Sequence, residues 1–346
     1  MTQAILTDRQ REVLKAVIED YVSTAEPVGS RAISRKYISS LSPATIRNTM
    51  ADLEEMGFLY QPHTSAGRVP TDKGYRVYVD QLMEKKSLTK AEVSRIYELV
   101  RLSWEVDELM RETSRLLSNL SRHATIVFAP RLAKTTLSRI EFIHVHRERI
   151  LAVLKAESGV IRHKMIATDE ILTQEELDRI SRYLNELIEG LTLEEVQELL
   201  IKKMADEKAK FDMLMRRALE LGRKGIQGGM ETEVFIGGTA NIVSQPEFAD
   251  VETMRQLFAA LEEKSKLVKI LDQVLTAEDF RIIIGSENTV REMQTLSVIA
   301  SPYRAGEQLV GALGVVGPTR IEYAKMVALV GFTAKLLSKV LTRRDM

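Results

Sequence analysis

The sequence predicts an α+β chain of more than one domain that opens with a winged helix-turn-helix. Three observations predict it. The first eighty or so residues carry two helix signatures joined by a short turn, followed by a Gly-containing loop between two short strand-like segments. From Ala124 the apolar period changes from helical spacing to strand alternation and back. The 346 residues also exceed what one ordinary core organises, so two or three domains are expected.

Thr7-Asp8-Arg9-Gln10 fits a capping box, in which Thr7 accepts from the third helical amide and Gln10 reaches back. Val13, Leu14, Val17, Ile18, Tyr21 and Val22 then recur at helical spacing, and the helix should stop before Pro27. Ser30 reads as a second N-cap leading Arg31 to Tyr37, with Ile33 and Tyr37 facing inward. Ser42-Pro43 is the strongest start signal, a capping hydroxyl followed by proline at the first helical position. This third helix is expected to run to about Met56 and end at Gly57. Ile46, Met50 and Leu53 form its buried stripe; Ala44, Asn48, Ala51 and Asp52, flanked by Thr45 and Arg47, form the other face.

That outer face suits a DNA groove. Arg pairs bidentately with guanine and Asn with adenine, and small residues allow close approach. Arg31, Arg35, Lys36 and Arg47 lie in a stretch, Val28 to Ala51, without one carboxylate. Phe58–Tyr60 and Gly67–Val69 read as two wing strands around His63, Thr64, Ser65 and Ala66, with Arg68 and the hydroxyls suited to phosphate or the minor groove. The expected DNA-contacting set is therefore Ser30, Arg31, Arg35, Ala44, Thr45, Arg47, Asn48, His63, Thr64, Ser65 and Arg68. An outward Arg or Asn also serves as ordinary solvated surface. Pro70-Thr71-Asp72 starts another helix, with Tyr75, Tyr78, Val79 and Leu82 on its apolar face.

The chain carries 49 basic and 49 acidic residues, so affinity for DNA must come from local placement of charge. It has no cysteine, which excludes disulfides and thiolate metal sites and suits a reducing cytosol. The N-terminus lacks a signal-peptide pattern, and no run approaches the ~20 apolar residues of a membrane span.

Glu84–Ser87 is the expected linker. Helices follow over about Lys90–Ser103 and Glu105–Arg122. In the second, Val106, Met110, Thr113, Leu117 and Leu120 form a stripe that fits packing on its own domain's sheet or a short coiled-coil seam. Strands are expected at Thr125–Ala129, Arg139–His146, Ile150–Lys155 and Val160–Ile166. Thr173–Gly190, Thr192 to about Gly222 and Val251–Val274 return to helical patterning, with a buried strand at Phe235–Ala240. Strands at Phe280–Gly285, Leu296–Ala300 and Gly311–Val316 precede a closing helix, Tyr323–Arg343. A sheet domain interrupted by an inserted subdomain accounts for this order. A tandem of two independent domains satisfies the same pattern.

No catalytic constellation emerges, and no cofactor is expected. Gly311, Gly314 and Gly317 match neither a dinucleotide nor a Walker fingerprint. His144 and His146 share one strand face but lack further ligands for a metal.

The residues quoted so far, with further segments, resemble the heat-inducible transcription repressor HrcA family of bacteria. The likeness is carried by Leu14–Val22, Glu26–Arg31, Ser42–Glu54, His63–Arg76, Phe235–Asn241 and Gly314–Tyr323. It implies a winged-helix domain at 1–86, a GAF-like domain in two segments, 87–171 and 276–346, and an inserted dimerising subdomain at 172–275. It implies a homodimer that binds the CIRCE inverted repeat upstream of chaperone operons, kept folded by the GroEL chaperonin and released on heat shock. Pro43–Asp52 is then the recognition helix and His63–Arg68 the wing. The wide apolar face of Glu194–Leu221, with Leu199, Leu200, Met204, Phe211, Leu214, Met215 and Leu219, fits a core or dimer interface, or a surface shown to a chaperonin. A metabolite-sensing winged-helix regulator, with a small ligand in the GAF-like domain, is the alternative function.

Overall fold

The computed structural model describes residues 6–343 apart from 65, 103–105, 131–135, 147, 158–160, 169–170, 207–212, 230–232, 244, 249 and 276–278. Helix α1, Asp8–Thr24, begins with the expected capping box and ends at left-handed Ala25, two residues before Pro27. Helix α2, Ser30–Lys36, starts differently from expectation. Gly29 holds the cap position with no side-chain bond, and Ser30 is the first helical residue and buried. Helix α3, Pro43–Glu55, is capped by the Ser42 hydroxyl accepting from the Thr45 amide at 3.1 Å. Gly57 follows at φ 77°, a left-handed turn that glycine adopts without strain.

The wing strands are β1, Leu59–Tyr60, and β2, Val69–Pro70, paired antiparallel. The second shares only Val69 with the expected Gly67–Val69 and runs on to Pro70. The backbone of Arg68 instead exchanges two 2.9 Å hydrogen bonds with Val28, tying the wing to the segment before α2. Helix α4, Asp72–Val77, is capped by Thr71 and widens into a π-turn over Tyr78–Leu82.

Helices α5, Lys90–Leu102, and α6, Val106–Ser121, lead into β3, Ala124–Phe128. The chain then forms β4, Leu137–His146, β5, Arg149–Ala156, and β6, Ile161–Ala167, followed by α7, Gln174–Ile188, α8, Leu193–Asp206, and α9, Met213–Gly229. It continues through β7, Val234–Gly237, α10, Thr239–Val243, α11, Val251–Glu262, α12, Lys264–Leu275, β8, Arg281–Ile284, β9, Leu296–Ala305, β10, Gln308–Pro318, and α13, Tyr323–Arg343.

Two larger sheets result. One has the antiparallel order β7-β3-β10-β9-β8; the other is β4-β5-β6. Both faces of the five-stranded sheet are covered. Val127, Leu313 and Val315 join a core with α5, α6 and α13, while Ile126, Phe128 and Val316 pack with α11 and α12. Strands buried on both faces lose the one-sided alternation of a half-exposed sheet. Met110, Thr113 and Leu117 of α6 are buried in the first of these cores, so the stripe packs on its own sheet.

The chain leaves this sheet after β3 and rejoins it at β7. Between them β4–β6 share a separate core with α7, α8 and α9. This division differs from the expected one at 172–275: β4–β6 belong with the helices that follow them, and α11 and α12 belong to the five-stranded sheet. Leu200 and Leu219, from the face considered for a chaperonin, lie in the separate core; Phe211 and the side chains of Leu214 and Met215 fall outside the described residues.

The winged helix is fastened to the five-stranded sheet. Tyr75 and Tyr323 meet with ring centroids 5.7 Å apart, inside one continuous apolar core. Arg76 donates to the Ile282 carbonyl at 2.8 Å and pairs with Glu287, which itself accepts from the Ile284 amide at 2.9 Å. These contacts occupy outward backbone groups of edge strand β8, which would otherwise be a template for strand pairing. Arg320 donates to the Val22 carbonyl at 3.2 Å and pairs with Glu247.

His123, between α6 and β3, sits beside this junction. Its Nδ1 is buried without a hydrogen-bond partner, and burial, reinforced by the Arg320 cation, pushes the imidazole down to about 4. The unfolded chain therefore takes up this proton first, near pH 6.5. The stability tied to neutral His123 is present above that pH and is lost as pH falls toward 4, by up to ~1.4 kcal/mol per pH unit. Urea denaturation between pH 7 and 5 should show a shallower decline in His123→Gln than in the parent.

Candidate nucleic-acid interface

Helix α3 owes its orientation to Ile46, Met50 and Leu53, all buried, which turn the opposite side outward. That side carries Ala44, Arg47 and Asn48, each exposed. Thr45 is half-buried, and its hydroxyl lies 2.9 Å from the Ser42 hydroxyl, so part of its hydrogen-bonding capacity serves the cap. On α2, which packs against α3, Arg31 and Arg35 are exposed one turn apart. Arg31, Arg35 and Arg47 make no ion pair among the described residues. Three free guanidiniums and one free amide thus face solvent around a helix start built of small residues.

Two expected contacts are placed otherwise. Ser30 is only 9% exposed and packs inside the module, because its position one residue into α2 turns it toward the core. Arg68 is turned inward: its side chain is 19% exposed and pairs with Glu54 at 2.8 Å. The carboxylate comes from the last turn of α3, fourteen residues back, a pairing no local sequence signal reports. Lys36 is likewise engaged, at 2.8 Å from the buried Asp20. His63 and Thr64 are exposed at the wing tip, and Gln61 steadies that tip by donating to the Thr64 and Ala66 carbonyls at 3.0 and 2.9 Å. Ser65 lies outside the described residues.

Because Arg68 braces the wing, Arg68→Ala should lower the stability of the chain by ~1–2 kcal/mol, the scale of a half-buried charged hydrogen bond. Chemical denaturation reads this directly; an unchanged midpoint would return Arg68 to the list of simple surface cations.

Among the described residues no group of three or more His, Asp or Glu is arranged to hold a metal ion. A Cβ at Gly311 would sit 2.4 Å from the Tyr303 hydroxyl, so this glycine serves close packing of β10 on β9 rather than a phosphate loop. Among the described residues no helix is long and apolar enough to cross a membrane.

Comparison with known proteins agrees with this geometry. Residues 5–84 match the family described as "Winged helix-turn-helix transcription repressor, HrcA DNA-binding", and residues 107–327 match "HrcA protein C terminal domain". The heat-inducible transcription repressor HrcA of Geobacter sulfurreducens is 46% identical over 337 residues, covering 97% of this chain and 98% of that protein. The protein of the same name from Syntrophobacter fumaroxidans is 45% identical, covering 97% of both. A solved structure described as a hypothetical protein shares the fold, with a TM-score of 0.64 at 23% identity over 98% of this chain and 100% of that one. With family matches at both ends and relatives spanning nearly its whole length, the chain belongs to the heat-inducible transcription repressor HrcA family, whose members are DNA-binding repressors and not enzymes.

Proposed function

We propose that this chain acts in the cytoplasm as a homodimer that represses chaperone operons by binding a CIRCE-type inverted repeat. Helix α3 enters the major groove of each half-site, and the 61–68 wing lies alongside. The GroEL chaperonin sustains the active fold, and heat shock releases the repressor. The observation that carries this reading is the unpaired outward face of Ala44, Arg47 and Asn48 beside Arg31 and Arg35. Fixed attachment of the winged helix to the sheet suits a palindrome, since two half-sites must be met at a set spacing.

The five-stranded sheet with helices on both faces supports a GAF-like domain, and β4 through α9 form the inserted dimerising subdomain. Among the described residues its sheet packs helices on one side only. On the other, Ile143, Val145, Ile161 and Met165 are exposed, with Ile143, Leu151 and Met165 in one cross-strand row. An open apolar sheet face of this kind suits burial against a second copy.

The test is fluorescence-anisotropy binding to the inverted repeat and to a scrambled duplex across salt, with and without GroEL and ATP. Preference for the repeat, strengthened by chaperonin, supports the full scheme. Equal binding to both duplexes by folded protein overturns it. Arg47→Ala should cost ~1–3 kcal/mol on the repeat and relax specificity if Arg47 reads a base. If Arg47 touches only phosphate, binding weakens evenly on all sequences and the salt slope shrinks by about 1.

A further inference from the structure

We propose that the cleft between α13, β9 and the segment entering β8 binds a small organic anion with an apolar body, such as an aromatic carboxylate. The cleft encloses about 700 Å³, within the roughly 300–1,000 Å³ of small-molecule sites. Its wall is aromatic: Tyr97 and Phe332 meet edge to face at 5.8 Å, and Tyr97 and Phe280 are each about half exposed. Its floor includes Gly331, in the middle of α13, where an added Cβ would meet nothing within 4 Å. Glycine weakens a helix interior, and here no neighbour within the chain requires it. An occupant lying close to the helix backbone does.

The charge around the cleft selects the occupant. Lys85, Arg304, Lys335 and Lys339 line it, and among the described residues the one carboxylate lining it is Asp279. None of these four cations makes an ion pair among the described residues, whereas nearby Lys86 and Lys325 pair with Glu322 and Glu92. In a chain of zero net charge this is a local concentration. It also disfavours a second copy of the chain in the cleft, because a two-fold axis would set the same cations against each other. An anionic headgroup meets the cations while its apolar body covers the rings and Gly331. The site stands independently of the operator reading, since neither α2, α3 nor the wing contributes to it.

The experiment is titration of the full chain with 8-anilinonaphthalene-1-sulfonate, followed by competition with benzoate and with uncharged benzyl alcohol. The expected result is saturable binding of one dye per chain, displaced by benzoate and not by benzyl alcohol. It should weaken about tenfold or more in Lys335→Glu/Lys339→Glu and in Gly331→Phe, and by a smaller factor in Gly331→Ala. Lysine acetylation footprinting of the unaltered chain gives a second readout that no folding defect confounds. Saturating dye should slow modification of Lys335 and Lys339 several-fold, and that of Lys202 not at all. Dye binding that survives both blocking variants, equal competition by benzyl alcohol, or unchanged acetylation would overturn the proposal. So would variants that alter the dimer by sedimentation and leave the dye in place, which would assign the cleft to a second copy.

Discussion

In the proposed dimer, the double substitution Ile143→Glu/Met165→Glu is expected to separate the two copies and weaken operator binding by roughly 100-fold or more. Both residues lie on the uncovered face of the β4–β6 sheet, 41% and 46% exposed in the single chain, and both pair across Leu151 of β5. Carboxylates there remain solvated in the protomer, so its fold should hold. Pressed against a second copy, the same carboxylates would be stripped of water and set against their symmetry mates. A lone protomer then reaches one half-site, without the effective concentration that a tethered second reader supplies. Sedimentation equilibrium measures the dissociation. Anisotropy on the full repeat and on a single half-site duplex separates the causes, since half-site affinity should not change. A variant that remains dimeric at micromolar concentration would move the dimer seam elsewhere.

What the sequence disclosed and what it concealed divide along the range of the interactions. The caps at Thr7, Ser42 and Thr173 are legible because donor and acceptor lie three residues apart. The closing helix, Tyr323–Arg343, is legible because its stripe is long and unbroken. Sheet membership was not, since only distant packing assigns β4–β6 and β8–β10 to different sheets. The break between α11 and α12 was hidden by an apolar rhythm that continues across it. Strand β9 was expected to stop at Ala300 yet continues to Ala305 through Pro302. Neighbouring β8 pairs only as far as Ala300, so the proline occupies a stretch that β8 no longer flanks. At the candidate DNA-facing site the outward residues Arg31, Arg35, Ala44, Arg47 and Asn48 followed from helical periodicity, although Tyr37, expected inward by the same periodicity, is 41% exposed. The inward turn of Arg68 did not, because its partner Glu54 is brought near only when the wing folds back on α3.

The wing's closure leaves no room for a single methyl group at Gly67. A Cβ there would sit 2.3 Å from the Val28 carbonyl oxygen, 2.4 Å from its carbon and 2.7 Å from the Pro27 carbonyl carbon. Every one of these is a backbone atom, and Val28 cannot retreat without breaking both of its 2.9 Å hydrogen bonds to Arg68. Gly67→Ala should therefore cost about 3 kcal/mol, at the upper end of overpacking, and should release the wing together with the Arg68–Glu54 brace. Gly29→Ala provides the contrast. Its Cβ would meet nothing within 4 Å, and its φ of −95° suits any residue, so stability should change by less than ~0.5 kcal/mol. Chemical denaturation compares the two, and operator anisotropy shows whether the loosened wing also forfeits affinity. If Gly67→Ala melts with the parent, the Val28 segment separates from the wing at no cost, and the wing's position is set by DNA and not by the fold.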